Sequence, residues 1–367
     1  MTGDSRPVMI MAGGTGGHVY PALAVARCLL DRGVPVVWMG TRQGLEGRVV
    51  PGAGIPIEWL SVSGLRGKGW LSWLLAPLRL NIALTQALLI LWRRRPRTVL
   101  GMGGFAAGPG GVMAFILGIP LVVHEQNAVP GLTNRLLGPL STQLLEGFPG
   151  AFARAHFTGN PVRTEITAIA GPELRLRGRR GPLRLFVFGG SLGAQAFNET
   201  VPRALALLPD GQRPEVRHQA GRDKDEEARR AYAQAGVEAE VSPFVEDMRA
   251  AYEWCDLVLC RSGAITVAEL AAAGCGALLV PYPHAVDDHQ TANARFLTEA
   301  GAGELIPQDR LTPEGLAERL RGLARDRARL VEMAAAARAL ARPEATEDVA
   351  GICLEAAGTP VSEGGRG

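Results

Sequence analysis

The chain is poor in the features that mark secreted, metal-clustered or membrane-spanning proteins. Its five cysteines, Cys28, Cys255, Cys260, Cys275 and Cys353, are odd in number and never form a CxxC pair. That argues against a disulfide scaffold and a zinc site, and for a reducing compartment. No N-terminal run reads as a secretory signal, because Gly13 and Gly14 cut the first apolar stretch at once. The longest apolar candidate, residues 80–92, is interrupted by Asn81, Thr85 and Gln86. It also falls short of the roughly 20 residues that a spanning helix needs, so the expectation is a protein that does not cross a membrane.

Acidic residues are absent from residues 61–100, which carry Arg66, Lys68, Arg79, Arg93, Arg94, Arg95 and Arg97. Trp59, Trp70, Trp73 and Trp92 lie in or beside this window. Basic charge mixed with tryptophan and leucine suits an anionic membrane surface. The alternative is an amphipathic helix whose Leu and Trp side chains are core. No nucleic-acid motif accompanies the charge, and no nucleic-acid partner is expected.

What is present is glycine, 47 residues in all, punctuating short apolar runs. Val8–Met11 reads as a buried strand, followed by the loop GGTGGH at 13–18, a helix from about Val19 to Leu30 and a second strand at Val34–Met39. The same unit returns half a chain later, with Leu185–Phe188, the loop GGSLGA at 189–194 and a helix to about Leu208. Two such strand–glycine loop–helix units imply parallel sheets and two doubly wound α/β domains facing a cleft. The Pro-, Gly- and Arg-rich stretch 171–182 reads as a linker or exposed connection. Glycine loops at helix starts favour anions through close backbone approach and free N–H groups. Neither GxGxxG nor GxxxxGK[ST] is satisfied, since Val19 stands where a third glycine belongs. Dehydrogenases and P-loop NTPases therefore recede.

Several residues could do chemistry. His18 closes the first loop, where it can act as a general base or as a cap or phosphate contact. The run HEQN at 124–127 ends an apolar strand, where ligands collect in such sheets, although Glu125 could simply pair with an arginine. Arg163 in GNPVR (159–163) can neutralise a diphosphate or brace a hinge. Strands at Leu257–Cys260 and Ala277–Val280 lead into loops and helices carrying Thr266, Glu269, Gln290 and Asn293. A carboxylate there can accept ribose hydroxyls, and an amide can bond sugar hydroxyls. The contiguous Asp287, Asp288 and His289 are poorly spaced for a shared metal, and no metal site is expected.

Taken in order, GGTGGH (13–18), SGLRGKG (63–69), GMGGF (101–105), HEQN, GNPVR, GGSLGA and RSGAITVAE (261–269) resemble the MurG family of bacterial peptidoglycan N-acetylglucosaminyltransferases over nearly the whole chain. The resemblance implies an α/β GT-B fold, with two Rossmann-like doubly wound domains and an interdomain cleft. It places an acceptor domain at 1–163, a donor domain at 164–344 and a final helix at 345–361 returning to the first domain. It implies inverting transfer of N-acetylglucosamine from UDP-N-acetylglucosamine to the 4-hydroxyl of MurNAc in lipid I, which forms lipid II. It further implies peripheral placement on the cytoplasmic face of the membrane, no cofactor, and room for cell-wall synthesis proteins as partners.

By match, Arg163 and Ser191 would hold the diphosphate. Val245 with Ala264, Ile265 and Thr266 would contact uracil, within a stretch that continues through Val267 and Ala268. Glu269 would take the ribose; Gln290 and Asn127, with Asn293 nearby, would face the sugar. His18 would be the base, with Glu125 as rival, and Thr15, Gly16 and Gly17 would lie near the acceptor pyrophosphate. His289 stands where the family has a glutamine, so the register of 285–290 is open. Competing readings are another GT-B transferase, which would differ in residues 60–110, and a UDP-sugar 2-epimerase, which would need further sugar-facing carboxylates.

Overall fold

The structure is a computed structural model and describes residues 5–61 and 76–358. The motif at 63–69, and with it Arg66, Lys68, Trp70 and Trp73, lies outside the described residues. The chain divides into two compact units, Met1–Pro161 with Glu344–Gly367, and Val162–Pro343.

In the first unit seven strands form one sheet in the order β3-β2-β1-β4-β5-β6-β7. They are β1 (Val8–Met11), β2 (Val36–Gly40), β3 (Ile57–Trp59), β4 (Thr98–Gly101), β5 (Leu121–Glu125), β6 (Gln143–Glu146) and β7 (His156–Phe157). All neighbours pair in parallel. A parallel strand covered on both faces must be apolar throughout, and every residue of β1 is fully buried. Each such Val or Ile contributes roughly 1.5–3 kcal/mol on leaving water.

Helix α1 (Gly16–Asp31) follows the first glycine loop and ends where Gly33 adopts φ +74°, a left-handed stop that glycine adopts without strain. The helix Ala345–Gly358 lies against α1 and β4. Its Val349, Ala350 and Cys353 join the cluster of Val19, Ala22 and Leu29, and the Cys353 carbonyl accepts from Thr98 Oγ1 at 2.8 Å.

Three more helices cover this unit: α2 (Glu46–Gly52), α3 (Ala76–Arg94) and α4 (Ala107–Ile116); α5 (Leu132–Leu137) packs beside α4. Helix α3 buries the stripe Ala83, Ala87, Ile90 and Leu91, the spacing of one helical face. Its other faces expose Leu78, Leu80, Ile82, Leu89 and Trp92. The core reading therefore holds for one face of this helix, and the other faces leave apolar side chains in the open. Arg93 and Arg94 turn back to Glu58 at 2.6 Å each, so part of the basic window is neutralised from outside it.

The second unit repeats the plan with six parallel strands in the order β10-β9-β8-β11-β12-β13. These are β8 (Arg184–Phe188), β9 (Glu215–Gln219), β10 (Glu240–Ser242), β11 (Leu257–Cys260), β12 (Gly276–Leu279) and β13 (Gly303–Leu305). The helices that matter for the site are α6 (Gln195–Ala206), α7 (Asp225–Gln234), α8 (Met248–Trp254), α9 (Ala264–Ala273) and α10 (His289–Thr298).

Residues 171–182 are not a loose linker. Arg179 donates to the Glu253 and Trp254 carbonyls and to Asp256 Oδ1 at 2.7 Å, while Arg175 donates to the carbonyls of Cys255 and Gly274. Guanidinium forks here satisfy carbonyls at the ends of α8 and α9, which have no helical partner of their own. Asp256, 2% exposed, also pairs with Arg327 at 2.7 Å and accepts from the Arg184 amide.

Candidate functional site

In both sheets the strand order runs outward in two directions from the first strand. The switch points therefore lie between β1 and β4 and between β8 and β11, where ligands bind in such folds. The glycine loops occupy both positions.

In the first unit the loop 13–18 is built around a buried carboxylate that sequence reasoning missed. Glu46, at the start of α2, is wholly buried. It accepts from the Gly14 amide at 3.0 Å, the Thr41 amide at 3.0 Å and Thr41 Oγ1 at 2.6 Å. A Cβ at Gly13, Gly40 or Gly44 would collide with its side chain, so these three glycines make its chamber. One amide of the expected anion cradle is thus already occupied by an anion. Thr15 caps α1 with extended backbone, and the first-turn amides of Gly16 and Gly17 have no intrahelical acceptor.

His18 stands at the loop's end. Its Nδ1 lies 3.2 Å from the Gly13 carbonyl. A carbonyl only accepts, so Nδ1 carries a proton, which in the neutral tautomer puts the lone pair on Nε2. That Nε2 faces Gly103, whose absent Cβ would stand 3.1 Å away and 3.6 Å from Asn134 Nδ2.

Glu125 is placed differently. It is buried, and Oε1 accepts from the backbone amide and side-chain amide of Asn127, while Oε2 accepts from Gly131 N and Asn134 Nδ2. Four donated bonds make this carboxylate a scaffold for Asn127 and Asn134. His124 and Gln126 point into the protein. Burial pulls His124 below its ordinary value, and its Nε2 donates to the Gly159 carbonyl at 2.9 Å.

In the second unit, Arg163 and Glu269 come together. Arg163 Nη2 and Nε donate to Glu269 Oε1 at 2.9 and 3.3 Å, and the Tyr252 hydroxyl donates to Oε2 at 3.1 Å. Burial raises the Glu269 carboxyl above its ordinary value, opposed by the Arg163 charge and by both hydrogen bonds. Desolvation draws the Arg163 guanidinium down, but Glu269 more than offsets it and the group sits above its usual value. The half-buried cation gains from the pair, whereas the deeper carboxylate still loses to desolvation. Tyr252 carries no sequence signal for this role.

Helix α9 opens at Gly263, and its first intrahelical bond is from Val267 N to Gly263 O. The amides of Ala264, Ile265 and Thr266 therefore face out of the helix end. Val267 is turned wholly inward and presents no side-chain surface to a ligand, and Ala268 is half-buried in the second turn. Asn293, fully buried, donates to the Ser262 carbonyl at 3.2 Å and braces that loop. Arg261 ties the loop to the next one through the Val280 and Pro281 carbonyls.

Gln290 accepts from the Tyr282 amide at 2.9 Å. Asp287 and Asp288 before it have φ of +52° and +48°, conformations that asparagine and aspartate tolerate better than most. Among the described residues no group of three His, Cys, Asp or Glu is placed to hold a metal ion. Ser191 is exposed in the second glycine loop, where Gly190 and Gly193 have φ of +86° and +66°.

The paired sheets, each with its glycine loop at the switch point, define a protein of two Rossmann-like domains of the GT-B kind. Residues 8–145 match the glycosyltransferase family 28 N-terminal domain and residues 184–349 its C-terminal domain, and the chain belongs to this family.

A relative from Alkalilimnicola ehrlichii is 60% identical over 355 residues, 96% of this chain and 99% of that protein. One from Marinobacter nauticus is 57% identical, covering 96% and 98%. Both are named UDP-N-acetylglucosamine–N-acetylmuramyl-(pentapeptide) pyrophosphoryl-undecaprenol N-acetylglucosamine transferase. The crystal structure of MurG from Acinetobacter baumannii superposes with a TM-score of 0.84 at 40% identity, covering 95% of this chain and 99% of that one. A calicheamicin glycosyltransferase at 18% identity and a TM-score of 0.66 shares the fold, with 96% and 98% covered.

Proposed function

We propose that this chain transfers N-acetylglucosamine from UDP-N-acetylglucosamine to the 4-hydroxyl of MurNAc in lipid I, forming the β-1,4-linked disaccharide of lipid II with inversion. The observation that carries the proposal is the 60% identity, across 96% of the chain, to a protein named for that transfer.

The second unit serves the donor. Glu269 accepts from the ribose hydroxyls, kept ionised by Arg163 and oriented by Tyr252. Arg163 uses Nε and Nη2 on Glu269, and Nη1, which stands 3.8 Å from Glu165 Oε1, turns to the diphosphate. The amides of Ala264 to Thr266 at the open helix start and the loop of Ser191 supply donors and helix dipoles to the departing UDP. Val245 borders uracil, and Gln290 contacts the transferred sugar.

The first unit serves the acceptor. His18, with its lone pair on Nε2, takes the hydroxyl proton as the bond to the anomeric carbon forms, and Glu125 holds the surrounding loop. Thr15, Gly16 and Gly17 border the acceptor pyrophosphate. The lipid is met at the membrane by α3, α4 and α5, which expose Trp92 at 66%, Ile116 at 61% and Leu132 at 69%. Apolar side chains beside Arg79 suit the anionic cytoplasmic face of the plasma membrane. None of the described helices is long and apolar enough to cross a membrane.

The test is incubation with UDP-N-acetylglucosamine and a short-chain lipid I analogue in anionic or neutral vesicles. The expected product is the β-linked disaccharide by proton NMR, formed faster on anionic vesicles. A folded protein that binds UDP but transfers no sugar to the analogue overturns the assignment of acceptor.

A further inference from the structure

The last residue of β9, Gln219, is 3% exposed and lies between the two loops that the donor nucleotide would span. β9 is the middle strand of β10-β9-β8, so its end is flanked by the loop after β8 and the loop after β10. The Gln219 side chain reaches both. Its Nε2 donates to the Gly190 carbonyl at 2.9 Å, and its Oε1 accepts from the Val245 amide at 3.0 Å. The orientation of the amide follows from its partners, because a carbonyl only accepts and an amide N–H only donates.

The glycine loop is seated on the same strand end by a second contact. A Cβ at Gly193 would overlap the Ala220 carbonyl, and one at Gly221 would overlap the Leu192 carbonyl. The Gly190 carbonyl also accepts from Gly193 N at 2.8 Å, which closes the turn carrying Ser191. On the other side, the bond is to Val245, in the loop after β10. Its amide is fixed by Gln219 Oε1, beside a Phe244 that remains 40% exposed. The side chain of Gln219 thus joins the diphosphate loop to the nucleobase loop with one donor and one acceptor. A carboxylate would offer acceptors to both sides and repel the Gly190 carbonyl, and a thioether would offer neither bond.

We infer that Gln219 is a positioning residue that sets the distance between the diphosphate-binding and base-binding loops, so that one nucleoside diphosphate engages both at once. This rests on the donor-site reading of the second unit. Its consequence concerns the linkage between two contacts. A ligand that bridges both loops gains from their being held at the right span, whereas a ligand that meets only one loop does not.

The test uses the full-length protein as wild type, Gln219→Met, which keeps length and packing, and Gln219→Glu, which keeps shape. UDP affinity is measured by calorimetry, uridine affinity by ligand-observed NMR and folding by thermal unfolding. The KM for UDP-N-acetylglucosamine and kcat come from steady-state transfer. Both variants are expected to weaken UDP binding by about 10-fold or more while uridine affinity changes by less than about 2-fold. The donor KM rises by a similar factor and kcat at saturating donor falls less than about 3-fold. Equal weakening of UDP and uridine would indicate a merely structural side chain and overturns the inference, as does UDP affinity unchanged in both variants. If the wild type itself binds no UDP, the donor-site reading fails first and takes the inference with it.

Discussion

Glu46 offers the sharpest separation between the two halves of the protein. It is a fully buried carboxylate that no cation among the described residues pairs with; the Gly14 amide, the Thr41 amide and the Thr41 hydroxyl are its partners. Glu46→Gln keeps the shape but puts an NH₂ where one backbone donor must be accepted. One charge-assisted bond is lost and the others weaken, about 2 kcal/mol in all. Glu46→Ala removes all three and leaves a cavity ringed by glycines, about 3–4 kcal/mol.

Tryptophan fluorescence in urea reads this directly, because every tryptophan except Trp254 belongs to the first unit. Among them Trp38 donates its indole N–H to the Ala12 carbonyl at 2.9 Å, one residue before the loop. Because Gly13 and Gly14 also set His18, the Gln variant should lose roughly 10-fold in kcat while UDP affinity stays within about 2-fold. A Gln variant with wild-type unfolding midpoint and wild-type turnover would refute the claim that this carboxylate holds the loop.

Three further outcomes follow from single contacts. Gly103 has φ +94° and faces the His18 ring; Gly103→Ala should cost about 1–3 kcal/mol in backbone strain and depress kcat more than donor KM in steady-state assays. The Glu269 carboxyl sits above its ordinary 4.5 in the folded protein because it is buried. Its contribution to stability is therefore complete below about pH 4.5 and is lost as pH rises through the raised value. Relative to wild type, the non-titrating Glu269→Gln should accordingly gain stability with rising pH over that window in urea titrations; a difference that is flat or falls with pH would contradict the shift. Asp256→Ala leaves Arg179 and Arg327 without their shared carboxylate and should lower stability by about 3 kcal/mol, read as a shift in the urea midpoint by circular dichroism.

Much of the fold was legible because parallel strands buried on both faces read as unbroken apolar runs. Val8–Met11 and Leu257–Cys260 appear at those limits, and β12 begins one residue earlier than the expected Ala277. The glycine loops were legible from their own residues. The roles of Glu46, Gln219 and Tyr252 were not. Each depends on a tertiary meeting across distant sequence, such as Gln219 with Gly190 and Val245, and nothing local to a glutamine ending a strand signals a bridge.

The charge balance of the basic window was only partly legible, for a related reason. Its lack of acidic residues was real, but Glu58, just outside it, captures Arg93 and Arg94. The stretch 171–182 looked like a linker because Pro, Gly and Arg are common there, while the carbonyls that its arginines cap lie about 75–100 positions further along. Asn293 and Val267 fell within the expected site by sequence, yet both are wholly buried.

The central claim is that donor recognition resides in the second unit and proton removal in the first, at His18. The most direct measurement is single-turnover sugar transfer from UDP-N-acetylglucosamine to a lipid I analogue by wild type, His18→Ala and Glu125→Gln, with UDP affinity measured on each. His18→Ala should bind UDP normally and transfer about 10²–10⁴-fold more slowly, with Glu125→Gln losing less. Full transfer by His18→Ala, or a Glu125→Gln that is the slower of the two at unchanged stability, would contradict the account.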